Sequence, residues 1–143
     1  AQTAQNTQTF QDKSGVIALT SDIPVIGNWV DYSAVSTIVG FSSFTYKSIK
    51  ILKISSKIIF VKYALIGTSN SLNASFTVSD NALDDTAQFG TVSRAFSNGV
   101  FSVGMSYIVT GSNVLQCFKD PQGNNWSATL EKTVVGQMFI KIG

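Results

Sequence analysis

Few residue types in this chain are equipped for chemistry. It contains no histidine, one glutamate and one cysteine, so the usual reagents of acid–base, metal and thiol chemistry are nearly absent. The only acidic cluster is Ser79-Asp80-Asn81-Ala82-Leu83-Asp84-Asp85. Oxygen ligands this close are weak candidates for a calcium ion, with Asp80, Asp84 and Asp85 supplying the charge. The segment lacks the glycine turn and bidentate glutamate of the standard calcium loop, and reads first as an exposed polar loop. Glycoside hydrolysis needs an acid and a base about 5 to 10 Å apart, and no second carboxylate cluster is present to supply the partner. No enzyme, metal or cofactor is expected.

The remaining candidates belong to binding. Lys47, Lys50, Lys53, Lys57 and Lys62 supply half of the 10 positive charges, with no acid between Asp31 and Asp80. Such a basic surface would attract a phosphate-bearing partner or an acidic glycan; equally, lysines on edge strands discourage edge-to-edge aggregation. Trp29, Tyr32, Tyr107 and Trp126 are the large amphipathic aromatics, suited to stacking on sugars or anchoring interfaces. Tyr107 alternates with apolar residues and is expected inside. Trp126 follows a Gly-Asn-Asn loop and is the more open to a surface role. The ligand-binding candidates are therefore Trp126, Asn125, Asn70, Lys47 and Lys50. Asn73-Ala74-Ser75 and Asn125-Trp126-Ser127 match the glycosylation acceptor, a pattern common by chance. Cys117 lies in an apolar run and is expected to be a buried, inert thiol.

The elements that position these residues are strands. Val, Ile and Thr number 14, 13 and 13 of 143 residues, against 7 Leu, which excludes an all-helical protein. Strands are expected at Thr37–Phe44, Ser48–Ile54, 57–66, Asn73–Val78, Phe89–Phe96, 101–109, Val114–Phe118 and Gln137–Ile142. In the 101–109 run, Phe101, Val103, Met105, Tyr107 and Val109 are expected in the core, with Ser102, Gly104 and Ser106 wet. The 57–66 run is apolar on both faces, so one face packs on the core and the other is buried too or meets another subunit. Ser55-Ser56 and Ser97-Asn98-Gly99 read as tight hairpins. The fold class is all-β, an antiparallel β-sandwich of jelly-roll type, with a head over residues 29–143. Residues 1–28 form a linker or trimeric stalk: 1–14 are too polar to order themselves, and Val16, Ile17 and Leu19 are suited to packing against copies of themselves.

The net charge of +2 is too near balance to imply nucleic-acid binding, and the lysine run lacks the interleaved aromatics of a stacking groove. No apolar run approaches the roughly 18 residues of a membrane helix, nor do the first residues form a signal core; membrane insertion is not expected.

Two stretches carry a resemblance. Residues 10–23, FQDKSGVIALTSDI, resemble the short linker ahead of receptor-binding or decoration domains in bacteriophage tail-fibre and head-fibre virion proteins. Trp29-Val30-Asp31-Tyr32-Ser33, Ser36 to Phe44, Val61-Lys62-Tyr63, Gly67 to Ser71 and Ser75 to Val78 are similar to a β-rich head of such fibres. The resemblance covers residues 10–78; from Asp80 only the strand rhythm matches. It implies a non-enzymatic structural or adhesive component on the virion surface and a homotrimer set around a threefold axis. It further implies contacts to other virion proteins through the N-terminal segment, and to a host surface glycan through the loops Gly67–Asn73, Asp80–Thr86 and Pro121–Trp126. The alternative is a cellular carbohydrate-binding module or adhesin on the same fold.

Overall fold

A computed structural model describes residues 26–78, 90–109 and 111–141. The described chain has no helix and nine strands: β1 (Trp29–Asp31), β2 (Ile38–Val39), β3 (Phe41–Lys53), β4 (Ile58–Ser69), β5 (Ser75–Thr77), β6 (Gly90–Ser97), β7 (Val100–Ile108), β8 (Val114–Phe118) and β9 (Glu131–Lys141). They form one antiparallel sheet in the order β1-β3-β4-β9-β6-β7-β8-β5-β2, curled into a half-barrel. The curl brings distant strands together: the Tyr63 ring on β4 lies 4.9 Å from Phe76 on β5, and its hydroxyl donates to Ser106 on β7.

Period-two patterning explains which face is inside. On β4, Ile59, Val61, Tyr63 and Leu65 are buried, whereas Ile58, Phe60, Lys62, Ala64 and Ile66 face outward, as alternating residues of a pleated strand must. β4 sits between β3 and β9, in continuous register with β9 and with β3 from Tyr46 to Lys53, pairing Val61 with Ile51 and Met138, and Leu65 with Lys47 and Val134; the β3 pairing shifts register between Phe41 and Ser43 and between Phe44 and Tyr46. The core is this row together with Ile49, Phe76, Ile108, Leu115 and Ile140. Two glycines are dictated by space. Gly40 has φ +102° and would place a Cβ 2.1 Å from the Asn73 carbonyl oxygen; Gly136 would place one 2.3 Å from the Tyr63 hydroxyl. Only glycine fits either position.

Several expectations are corrected in detail. Thr37–Phe44 and Ser48–Ile54 are not two full strands: Gly40 ends the short β2, and a single strand runs from Phe41 through Lys53. β9 begins at Glu131, not Gln137. The faces of β7 are reversed, because Gly104, Ser106 and Ile108 point inward while Phe101 and Val103 are 62% and 55% exposed. The physical reason is room. A Cβ at residue 104 would lie 2.6 Å from the Phe118 carbonyl oxygen on β8, and Ser106 accepts from Tyr63 on β4, so small residues are needed at both positions. Tyr107 accordingly lies outside the core, stacked on Phe118 at 5.3 Å and donating to Gln116. The Ser97-Asn98-Gly99 hairpin is formed, with φ of 51° at Asn98 and 80° at Gly99, the signs a two-residue type I′ turn needs. Residues 1–25 of the expected linker lie outside the described residues.

Candidate functional site

The outer face of the sheet holds a groove of about 450 Å³ where β3, β4 and β9 run side by side. Its walls are Tyr46, Ser48 and Lys50 from β3, Lys62 from β4 and Val135 and Gln137 from β9, with Ala64 at its floor. Register assembles it: Lys50 stands opposite Lys62, and Lys62 opposite Gln137. Two like charges directly opposed on neighbouring strands oppose folding slightly. Lys62 is partly relieved, its ammonium lying 4.2 Å from the centre of the exposed Trp29 ring. On the other side, Asp31 of β1 opposes Lys50. Asp31 accepts from the Ser33 amide at 2.8 Å, and its bonds to Ser33 first, then the charges of Lys50 and Lys47, hold its carboxyl below the usual range. Two lysines and one aspartate leave the groove with one net positive charge.

The residues expected to bind do not converge. Lys47 and Lys50 lie three apart on one unbroken stretch of register, so they project from opposite faces of β3; Lys47 approaches the Phe44 ring at 5.5 Å and is not part of the groove. Asn70 and Asn125 are exposed on loops at one end of the molecule, joined where the Trp126 amide donates to the Leu72 carbonyl at 3.0 Å. Asn70 lies eight residues beyond Lys62, about 25 Å along the strand direction. Trp126 is corrected outright. It is 2% exposed and its Nε1 donates to the Cys117 carbonyl at 2.8 Å, which removes it as a stacking platform. A depression of about 410 Å³ beside it is bounded by Asn98, Ser102, Lys119 and Asp120. Asp80, Asp84 and Asp85 lie outside the described residues; among the described ones no group of three or more metal-ligating side chains is assembled.

The structure also reveals a buried lysine. Lys132, fully buried on β9, donates to three main-chain carbonyls: Gly40 at 3.0 Å, Ser71 at 2.8 Å and Asn73 at 2.7 Å. Phe41 and Trp126 present ring faces 5.3 and 5.6 Å from the ammonium. All three N–H donors are used, and one side chain ties β9 to the β2–β3 junction and the loop after β4. Burial lowers its pKa to about 8. Its position could have been found by stepping the alternation back in twos from Ile140 and Met138, through Gly136 and Val134, to residue 132.

Beneath the sheet, the Tyr63 hydroxyl donates to Ser106 at 2.6 Å and Ser106 to the Cys117 sulfur at 3.3 Å. Burial raises both Tyr63 and Cys117, the thiol to about 12. Ser93 borders the same phenol; its hydroxyl has no well-formed bond in this arrangement, and rotation toward the Tyr63 oxygen would satisfy it. Tyr63, Ser93, Ser106 and Cys117 are all buried. Comparison with family models, curated proteins and solved structures returns no match for this chain.

Proposed function

We propose that this chain is a non-enzymatic structural and adhesive component of a phage virion, a fibre-type head that projects from the particle and touches the host surface. On this reading the two limbs of the curled sheet are the layers of a jelly-roll-type head. Three copies assemble around a threefold axis, and the N-terminal segment leads to other virion proteins. The observation that carries the reading is the outer face of the sheet. Beside the groove, β6 and β7 display Val92, Phe101 and Val103 at 70%, 62% and 55% exposure, with the Arg94 guanidinium 4.7 Å over the Phe101 ring. An apolar row of this kind on a folded domain marks a contact surface. Identical patches are covered most simply by copies of the chain, and three copies present three grooves together, so weak single contacts become avid.

The second reading, a cellular carbohydrate-binding module or adhesin, is favoured by the groove itself, which sets a tyrosine ring, an amide and two lysines on an exposed face of the sheet. Adsorption separates the two. Added in excess to bacteria exposed to a panel of phages, the purified chain is expected to block adsorption of those phages whose receptor it shares. A chain that coats cells yet blocks no phage would favour the cellular module, and one that coats none removes the adhesive role.

A further inference from the structure

The groove on β3, β4 and β9 has a definite chemical character. It is lined by two lysines on directly opposed residues, the amide of Gln137, the hydroxyl of Ser48 and, at its edge, the Tyr46 ring, 54% exposed; the Lys62 ammonium rests over Trp29 beside it. The nearby Asp31 leaves an excess of one positive charge, too little for a polyphosphate track and matched to a single carboxylate. Arg94, the next cation on this face, stacks on Phe101 and does not join the groove. Aromatic rings and planar amides at a shallow, partly polar cleft suit the ring faces and hydroxyls of sugars. Ala64, a small side chain between Ser48 and Val135 on this face, leaves the floor low enough to seat one.

We propose that this groove binds a carboxylated sugar residue, such as a uronic or sialic acid at the end or within the chain of a surface polysaccharide. Lys50 takes the carboxylate, joined by Lys62 swinging over from the Trp29 ring, Tyr46 packs on the sugar ring, and Ser48 and Gln137 bond its hydroxyls. The inference rests on the adhesive reading and gives it a ligand class. It also explains why two like charges are kept opposite each other: the bound carboxylate neutralises a repulsion the free protein carries.

The test is calorimetric titration of the full chain with a sialyl trisaccharide and a glucuronate disaccharide. The methyl esters of both, inorganic phosphate and a short single-stranded DNA serve as comparisons. Binding is expected for the acids, weakened about tenfold or more in the esters, which lack the charge. Lys50→Gln/Lys62→Gln is expected to lose about tenfold as well, while its melting temperature stays level or rises, because the repulsion is gone. Tyr46→Ala is expected to weaken binding and Lys119→Gln, on the far limb, to leave it unchanged. Acid and ester binding equally, phosphate matching the sugars, or DNA binding more tightly would each overturn the proposal. Its failure is separable from failure of the fibre reading. A trimer that binds neither acid removes the ligand class alone, whereas a monomer that binds them upholds the groove and removes the assembly.

Discussion

Replacing Lys132 with methionine tests whether the buried ammonium holds the upper end of the molecule together. Methionine has similar length and lets the core close around it, so little cavity is added. What changes is the fate of the Gly40, Ser71 and Asn73 carbonyls, each of which loses its bond from the ammonium. An acceptor stranded by loss of its partner costs about 1–3 kcal/mol. Gly40 keeps the Asn70 amide and Ser71 the Ser69 hydroxyl as donors, so the loss is less than three stranded acceptors and, offset by removal of a buried charge, comes to about 2–3 kcal/mol. That is a large share of the roughly 5–15 kcal/mol a domain has in hand. Equilibrium urea unfolding reads it directly: at an m-value of about 2 kcal/mol per molar, the midpoint is expected to fall by about 1 to 1.5 M. Hydrogen exchange adds locality, since the Trp126 amide bonds to Leu72 and the Cys117 amide to Ala74, and both should exchange faster in Lys132→Met. A loss under about 1 kcal/mol, or a variant more stable than the parent as seen for some buried ion pairs replaced by apolar groups, would refute the reasoning.

The pH dependence of stability should carry the signature of the same residue. Because burial lowers the folded pKa of Lys132 to about 8 against about 10.4 in an unfolded chain, the unfolded state binds more protons above pH 8 and stability rises there. Cys117 works oppositely: its folded pKa of about 12 lies above its unfolded value, so its contribution falls as pH climbs past 9. Thermal melts are expected to rise from pH 8 to 9 in the parent and not in Lys132→Met. Native Cys117, 1% exposed, should resist a thiol reagent until the chain is unfolded; rapid native labelling would contradict its burial. Gly136→Ala should destabilise by forcing its Cβ against Tyr63, and Tyr63→Phe, lacking the hydroxyl 2.3 Å away, should rescue part of that loss; a double-mutant cycle with coupling under about 0.5 kcal/mol would deny the contact. Trp126→Phe should cost about 1 kcal/mol through its lost bond to Cys117 and leave saccharide binding unchanged.

Where alternation is backed by a buried apolar row, the fold was legible before the structure. The 57–66 run reads correctly as a strand with Ile59, Val61, Tyr63 and Leu65 on one face, the span of β8 matches residue for residue, and the Asn98-Gly99 turn follows from its sequence. Composition also suffices for an all-β antiparallel architecture. The failures have a common cause in tertiary context. The faces of β7 were inverted because its larger side chains lie outside, and no local pattern shows that the Phe118 main chain crowds residue 104 or that Tyr63 bonds to Ser106. Trp126 looked open beside a polar loop, yet it is covered by the Lys132 cradle and bonded to Cys117. Counting lysines located the basic segment correctly but not its sidedness, since Lys47 and Lys50 diverge by strand parity; Gln137 and Tyr46 join Lys50 only through the β4 register. The groove was therefore visible only in Lys50 and Lys62, two of the five lysines read as a basic surface.

Solution mass tests the central claim most directly. Light scattering on the full chain is expected to give three times the 15.3 kDa of one copy, and Phe101→Ser/Val103→Ser, which removes the apolar row from β7, is expected to shift that mass toward a single chain while the sheet stays folded by circular dichroism. A mass of 15.3 kDa for the unaltered chain at every concentration, or a trimer indifferent to both substitutions, would contradict an assembly made through this face.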